Sequence, residues 1–135
     1  MSTQLLELDR EECLRLLASM NLGRVAVNVE NWAPVIRPVN YAFDPSSQSV
    51  VFRSARGSKL TALTLSAQAS FEVDDFDPAG PSGWSVIVTG VAAEVTAPTE
   101  VDRLEQLGLS SLAPGRDPRW IRIHTTVVSG RRIRT

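Results

Sequence analysis

The 135-residue chain has one cysteine, one histidine, one lysine and one tyrosine. With Cys13 alone, no disulfide can form within the chain. With His124 as its only imidazole partner, a structural zinc site needing about four such ligands is excluded. No apolar run approaches the roughly 20 residues of a membrane-spanning helix. Met1 to Arg10 lacks the basic start and apolar stretch of a secretory signal. These absences predict a cytoplasmic protein that does not engage a membrane. The formal net charge of −1 carries no basic excess, which argues against a nucleic-acid partner. The chain also lacks a G-x-G-x-x-G fingerprint, a Walker loop, an internal repeat and a nucleophile–base–orienter set.

What remains is the balance of a globular domain, with 43% hydrophobic and 21% charged residues. The length suits one domain over residues 1–135 with one core. Asp9 followed by Glu12 forms a capping box, with Leu8 placed to staple onto Cys13. Cys13, Leu14, Leu17 and Met20 then recur at helical spacing, predicting a helix from Arg10 to Met20 with Cys13 as a buried, inert thiol. Val25, Val27 and Val29 alternate with more polar residues and mark a strand. Val35–Phe43 and Val50–Ser54 continue it as an antiparallel meander. Pro38 cannot donate to a ladder, so the second of these strands has an edge or a bulge there. Ser58 can cap a short helix carrying Leu60, Leu63 and Leu65. Ala69–Asp74, Trp84–Val95 and Trp120–Thr125 follow as strands, with a helix from Pro98 to Leu107 and a last short pairing over Gly130–Arg134. Gly90, inside the long strand, signals a bend or a close backbone approach. The expected fold is mainly β: a six-stranded antiparallel barrel with a few short helices.

The segment from Phe52 to Leu60 is the most informative. A strand ends, Gly57 lets the chain turn, and Ser58 opens a helix whose free N–H groups carry partial positive charge. Arg53, Arg56 and Lys59 bring three cations to the same place, and the hydroxyls of Ser54 and Ser58 add hydrogen-bonding groups. The segment reads as an anion site or as a solvated helix start with ordinary surface cations. Arg37-Pro38-Val39-Asn40-Tyr41 reads as a strand edge offering backbone groups to a flat heterocycle, or as an edge guarded by proline. Trp84 and Trp120 can stack on a ring or pack in a core or dimer contact. Trp32 lies in a turn. His124, aligned with Arg122 and Trp120, is a proton donor, a metal or haem ligand, or a structural residue. Asp74, Asp75 and Asp77 are a cation cluster or solvated loop carboxylates.

Taken in order, Gly23-Arg24-Val25, Pro38-Val39-Asn40-Tyr41, Val51-Phe52-Arg53 with Gly57-Ser58-Lys59-Leu60, Phe71-Glu72-Val73-Asp74, Gly83-Trp84-Ser85-Val86 with Thr89-Gly90, and Gly130-Arg131-Arg132-Ile133 resemble the pyridoxamine 5′-phosphate oxidase-like superfamily of flavin-binding split barrels. The resemblance implies a homodimeric split β-barrel with two cofactor sites at the dimer interface. It implies that Arg53, Ser58 and Lys59 hold the cofactor phosphate and that Pro38, Val39, Asn40 and Tyr41 lie along the ring system. It also implies that the Trp84-Ser85 region closes the site from the partner subunit. The implied cofactor is FMN or a phosphate-bearing deazaflavin, with haem bound by some relatives. The implied activity is hydride transfer to or from a small molecule. The alternative is a non-catalytic protein of the same fold that binds haem, deazaflavin or another planar ligand. The chain stops at Thr135, short of the C-terminal substrate residues of authentic pyridoxamine phosphate oxidases, which argues against vitamin B6 oxidation.

Overall fold

Asp9 caps the first helix as its spacing to Glu12 predicts: Asp9 Oδ1 accepts a hydrogen bond from the Glu12 backbone N–H at 2.9 Å. The structure, a computed structural model, describes residues 2–55, 68–109 and 118–135. Helix α1 spans Arg10–Ala18, two residues short of the expected end. Ser19 closes it by turning both its backbone N–H and its hydroxyl onto the Leu16 carbonyl. Cys13, Leu16 and Leu17 face the core.

Eight strands follow the order β1 (Gln4–Leu8), β2 (Leu22–Val27), β3 (Val35–Asp44), β4 (Ser49–Ala55), β5 (Gln68–Phe76), β6 (Gly83–Val95), β7 (Pro118–His124) and β8 (Val127–Arg134). A second described helix, α2 (Pro98–Glu105), starts with proline in its first turn. The short helix expected after Ser58 lies outside the described residues. The sheet runs β1-β8-β6-β5-β2-β3-β4-β7, and β7 pairs back onto β6. Strands β6, β5, β2, β3, β4 and β7 therefore close the expected six-stranded barrel. Strands β8 and β1 hang outside it on the first half of β6.

Closure depends on one long strand serving two neighbours. Gly83 to Thr89 of β6 pair with β8, whereas Ala92 to Val95 pair with β7. Gly90 sits at the changeover. A Cβ there would lie 2.5 Å from the His124 carbonyl oxygen, so the close approach expected at this glycine is a backbone crossing.

Alternation along the strands fills the barrel. Val25, Val27, Val39, Tyr41, Val50, Phe52, Phe71, Val73, Val86, Val88, Ile121 and Ile123 form its interior with Cys13, Leu16 and Leu17 of α1. A smaller cluster outside the barrel joins Val51 and Trp120 to Leu104 of α2. Strand β1 escaped sequence reading because Gln4-Leu5-Leu6-Glu7-Leu8 has no β-branched or aromatic residue and pairs only with β8.

Candidate functional site

Strands β3 and β4 part company halfway along. Their register covers only Tyr41 to Asp44 against Ser49 to Phe52. Beyond the Tyr41–Phe52 pair, Val35 to Asn40 continue paired to β2, while Arg53 to Ala55 continue paired to β7. The two segments singled out in the sequence thus leave a common fork, one along each prong. Pro38 belongs on such a prong, since its missing N–H removes nothing from a ladder that β4 no longer completes.

The prongs differ in what they expose. Val39 and Tyr41 point into the core. Tyr41 donates its hydroxyl to the Leu17 carbonyl at 2.5 Å, and burial holds that phenol well above its usual titration range. Its ring meets Phe71 edge to face at 4.7 Å. Only the backbone of these two residues can serve a ligand lying along the strand. Pro38 is exposed and Asn40 half-buried on the outward side.

On the other prong Arg53 is half-buried, and its guanidinium carbon lies 5.7 Å from the centroid of the Trp120 ring. Arg53 Nε is buried and, among the described residues, has no hydrogen-bond partner. A buried donor left unpaired costs about 1–3 kcal/mol, so an acceptor at this spot is favoured. Ser54, the next residue, turns inward and is buried. Arg56, Gly57, Ser58 and Lys59 lie outside the described residues.

A cleft of about 370 Å³ borders the fork, lined among others by Met20, Asn21, Asn40, Ala42, Leu107 and Leu109. Its far wall follows α2, and α2 is anchored by a charge network that sequence reading missed. Asp44, fully buried, accepts bonds from Arg103 at 2.9 and 2.6 Å, from Arg122 at 3.4 Å and from the Ser47 hydroxyl at 2.5 Å. Glu100 pairs with the same two arginines. The Arg103 hydrogen bonds are the main reason the Asp44 carboxyl sits far below its usual range. Arg103 and then Arg122 hold Glu100 down to about 2. Asp44 closes a hairpin turn in the sequence, and no local signal links it to arginines roughly 60–80 residues away.

Of the other described candidates, Trp120 lies beside the fork and the rest lie elsewhere. Trp84 packs in the barrel core, leaving Ser85 as the outward residue of that pair. Trp120 is buried, and its ring N–H donates to Glu105 at 2.9 Å. Trp32 is exposed. His124 is exposed at the far end of β7, opposite Ser49, whereas Trp120 is opposite Arg53 at the fork. Asp77 caps its own turn by accepting from the Ala79 N–H at 2.9 Å.

The sequence pattern of the pyridoxamine 5′-phosphate oxidase family matches residues 9–132. An uncharacterized protein of Mycobacterium tuberculosis is 42% identical over 109 residues, covering 77% of this chain and 70% of that protein. The structure of a FAD binding protein from Mycobacterium smegmatis superposes with a TM-score of 0.79 at 33% identity, covering 95% of this chain and 98% of the other. A conserved protein of unknown function from Corynebacterium diphtheriae superposes with a TM-score of 0.80 at 32% identity, covering 96% and 98% respectively.

Proposed function

The chain belongs to the pyridoxamine 5′-phosphate oxidase family, and from that premise we propose that it binds a phosphate-bearing flavin at the β3–β4 fork. The phosphate sits against Arg53 and the segment Arg56-Gly57-Ser58-Lys59. The ring system lies along Pro38-Val39-Asn40-Tyr41, taking hydrogen bonds from that strand's backbone. The observation that carries the reading is Arg53 Nε, a buried donor without a partner among the described residues, on one prong of the fork. Its chemistry fits a phosphate ester, which supplies charge and several acceptors at once.

The flavin is FMN, a deazaflavin or, as in the named M. smegmatis relative, FAD. When bound, the flavin supplies hydride chemistry, and the protein positions it and excludes water. On this reading the chain is a homodimeric oxidoreductase acting on a small molecule, with Ser85 of a second copy near the site. The outer face of the sheet supports the dimer, because Ile36, Ile87, Val91 and Val127 are all exposed along it.

The test is the absorption spectrum and mass of the ligand that copurifies, followed by fluorescence titration of stripped protein with FMN, FAD and a phosphate-bearing deazaflavin. Saturable binding of at least one, at micromolar concentration or below, is expected. Failure of all three to bind sinks the reading.

A further inference from the structure

The cleft beside the fork has a continuation. Ala18 and Phe43 line it, and both residues also line a second cleft, of about 430 Å³, together with Leu14 and Pro45. The two clefts adjoin across Ala18, the last residue of α1, whose side chain is a single methyl group.

The two ends of this groove differ in chemistry. At the fork end Asn21 and Asn40 bring amide groups, which both donate and accept hydrogen bonds. No charged side chain lines that end among the described residues. At the far end Leu14, Phe43 and Pro45 are apolar, and Leu14 and Phe43 pack onto the barrel core. The charged residues there, Glu11 and Arg15, are exposed, and Arg15 is occupied by Glu12 at 2.8 and 2.5 Å. Both walls are fixed. Asp44, between Phe43 and Pro45 in the chain, is held by Arg103 and Arg122. The same Arg103 ties down α2, which leads into Leu107-Gly108-Leu109 on the opposite wall, where Gly108 turns the chain at a φ of 69°. A ligand entering a groove formed in advance does not have to order its walls.

We infer that this groove receives the substrate of the flavin site and that the substrate is a neutral amphiphile. Its carbonyl-bearing head lies at Asn21 and Asn40, and its alkyl tail runs past Ala18 to Leu14. The inference rests on the flavin reading above and adds the substrate class. An anionic head would find no cation in the lining at the fork end, and a wholly polar molecule would leave the apolar end unfilled. Each cleft has the size of a small-molecule site, about 300–1,000 Å³.

Calorimetric titration of the full chain with methyl ketones of increasing straight-tail length tests this, with circular dichroism to confirm that each variant folds. For wild type each added methylene should tighten binding by up to about fourfold until the far end is filled. Ala18→Leu puts a bulkier side chain in the passage, so its gain should stop at short tails. Pro45→Asp, at an exposed hairpin position, puts a charge at the far end and should weaken only the long-tailed members. Asn21→Ala should weaken every member by about three- to tenfold and keep the dependence on tail length. Wild-type affinity that ignores tail length overturns the groove, as does an undiminished gain in Ala18→Leu or Pro45→Asp. Unchanged affinity in Asn21→Ala overturns the placement of the head. Flavin titration of the same samples reads the cofactor proposal separately. Flavin binding without tail dependence sinks this inference alone, and tail dependence on protein that binds no flavin leaves the groove standing and sinks the cofactor proposal.

Discussion

Arg53 and Trp120 are cross-strand partners on β4 and β7, and the guanidinium carbon of the first lies 5.7 Å from the ring centroid of the second. Trp120 is itself fixed, buried at 3% exposure with its N–H on Glu105. The arginine therefore rests on a rigid platform beside the β3–β4 fork. Its buried Nε finds no acceptor among the described residues. A stability role alone leaves that donor unexplained. The phosphate of the proposed flavin would supply the missing acceptor.

On the proposed reading Lys59, the sole lysine, belongs to the same anion site. Lys59→Ala should weaken FMN binding by about tenfold, the value of one hydrogen bond to a charged group. Riboflavin, which has no phosphate, should bind as before. Paired fluorescence titrations make the comparison, and equal weakening of both ligands removes Lys59 from the phosphate site.

Gly90→Ala should destabilise the fold by about 1–3 kcal/mol, the cost of overpacking. The new methyl meets a backbone carbonyl, that of His124 at 2.5 Å, and a backbone atom in a ladder has no rotamer by which to retreat. Urea unfolding reads the change as a lower midpoint. An unchanged midpoint contradicts the crossing at Gly90.

Tyr41→Phe should cost about 1–3 kcal/mol, because the Leu17 carbonyl loses its buried donor while the packing against Phe71 is kept. Flavin affinity should change little, since only the Tyr41 backbone is offered to the ligand. A large loss of affinity with full stability would place the hydroxyl in the site instead.

Stability should peak at mildly acidic pH. Asp44 and Glu100 are both held below their ordinary values by Arg103, so the stability they contribute is present above about pH 4.5 and lost as pH falls toward about 2. Glu72 has the opposite sign. Raised to about 7, it contributes stability that is present below about pH 4.5 and lost as pH rises through about 7. Denaturation midpoints should therefore fall on both sides of about pH 5. Glu72→Gln should flatten the alkaline side, and Asp44→Asn should flatten part of the acid side while costing about 1.5–3 kcal/mol for the lost charge-assisted bonds, with Glu100 still pairing Arg103 and Arg122. Dilute protein separates this effect from association.

The sequence revealed whatever was encoded locally. The Asp9 cap, the valine alternation of β2, the edge marked by Pro38 and the crossing at Gly90 each follow from one residue or a short period. Long-range features were hidden. Nothing in Asp44-Pro45-Ser46-Ser47 announces Arg103 and Arg122, and nothing in Gln4–Leu8 announces β8. The fork itself was only half legible. Its prongs were recognised separately, as a basic strand end and a proline-bearing edge, but their departure from one point depends on where the β3–β4 register stops. Trp84 was legible only as two alternatives, a ring platform or a packing residue, and it packs into the core.

The most direct test of the account is calorimetric titration of wild type and Arg53→Ala with FMN and with riboflavin. Wild type should prefer FMN by at least about tenfold, and Arg53→Ala should lose most of that preference while binding riboflavin unchanged, as expected for a charge-assisted contact of about 1.5–3 kcal/mol. Equal affinity of wild type for both ligands, or an undiminished FMN preference in Arg53→Ala, would contradict a phosphate held at the fork.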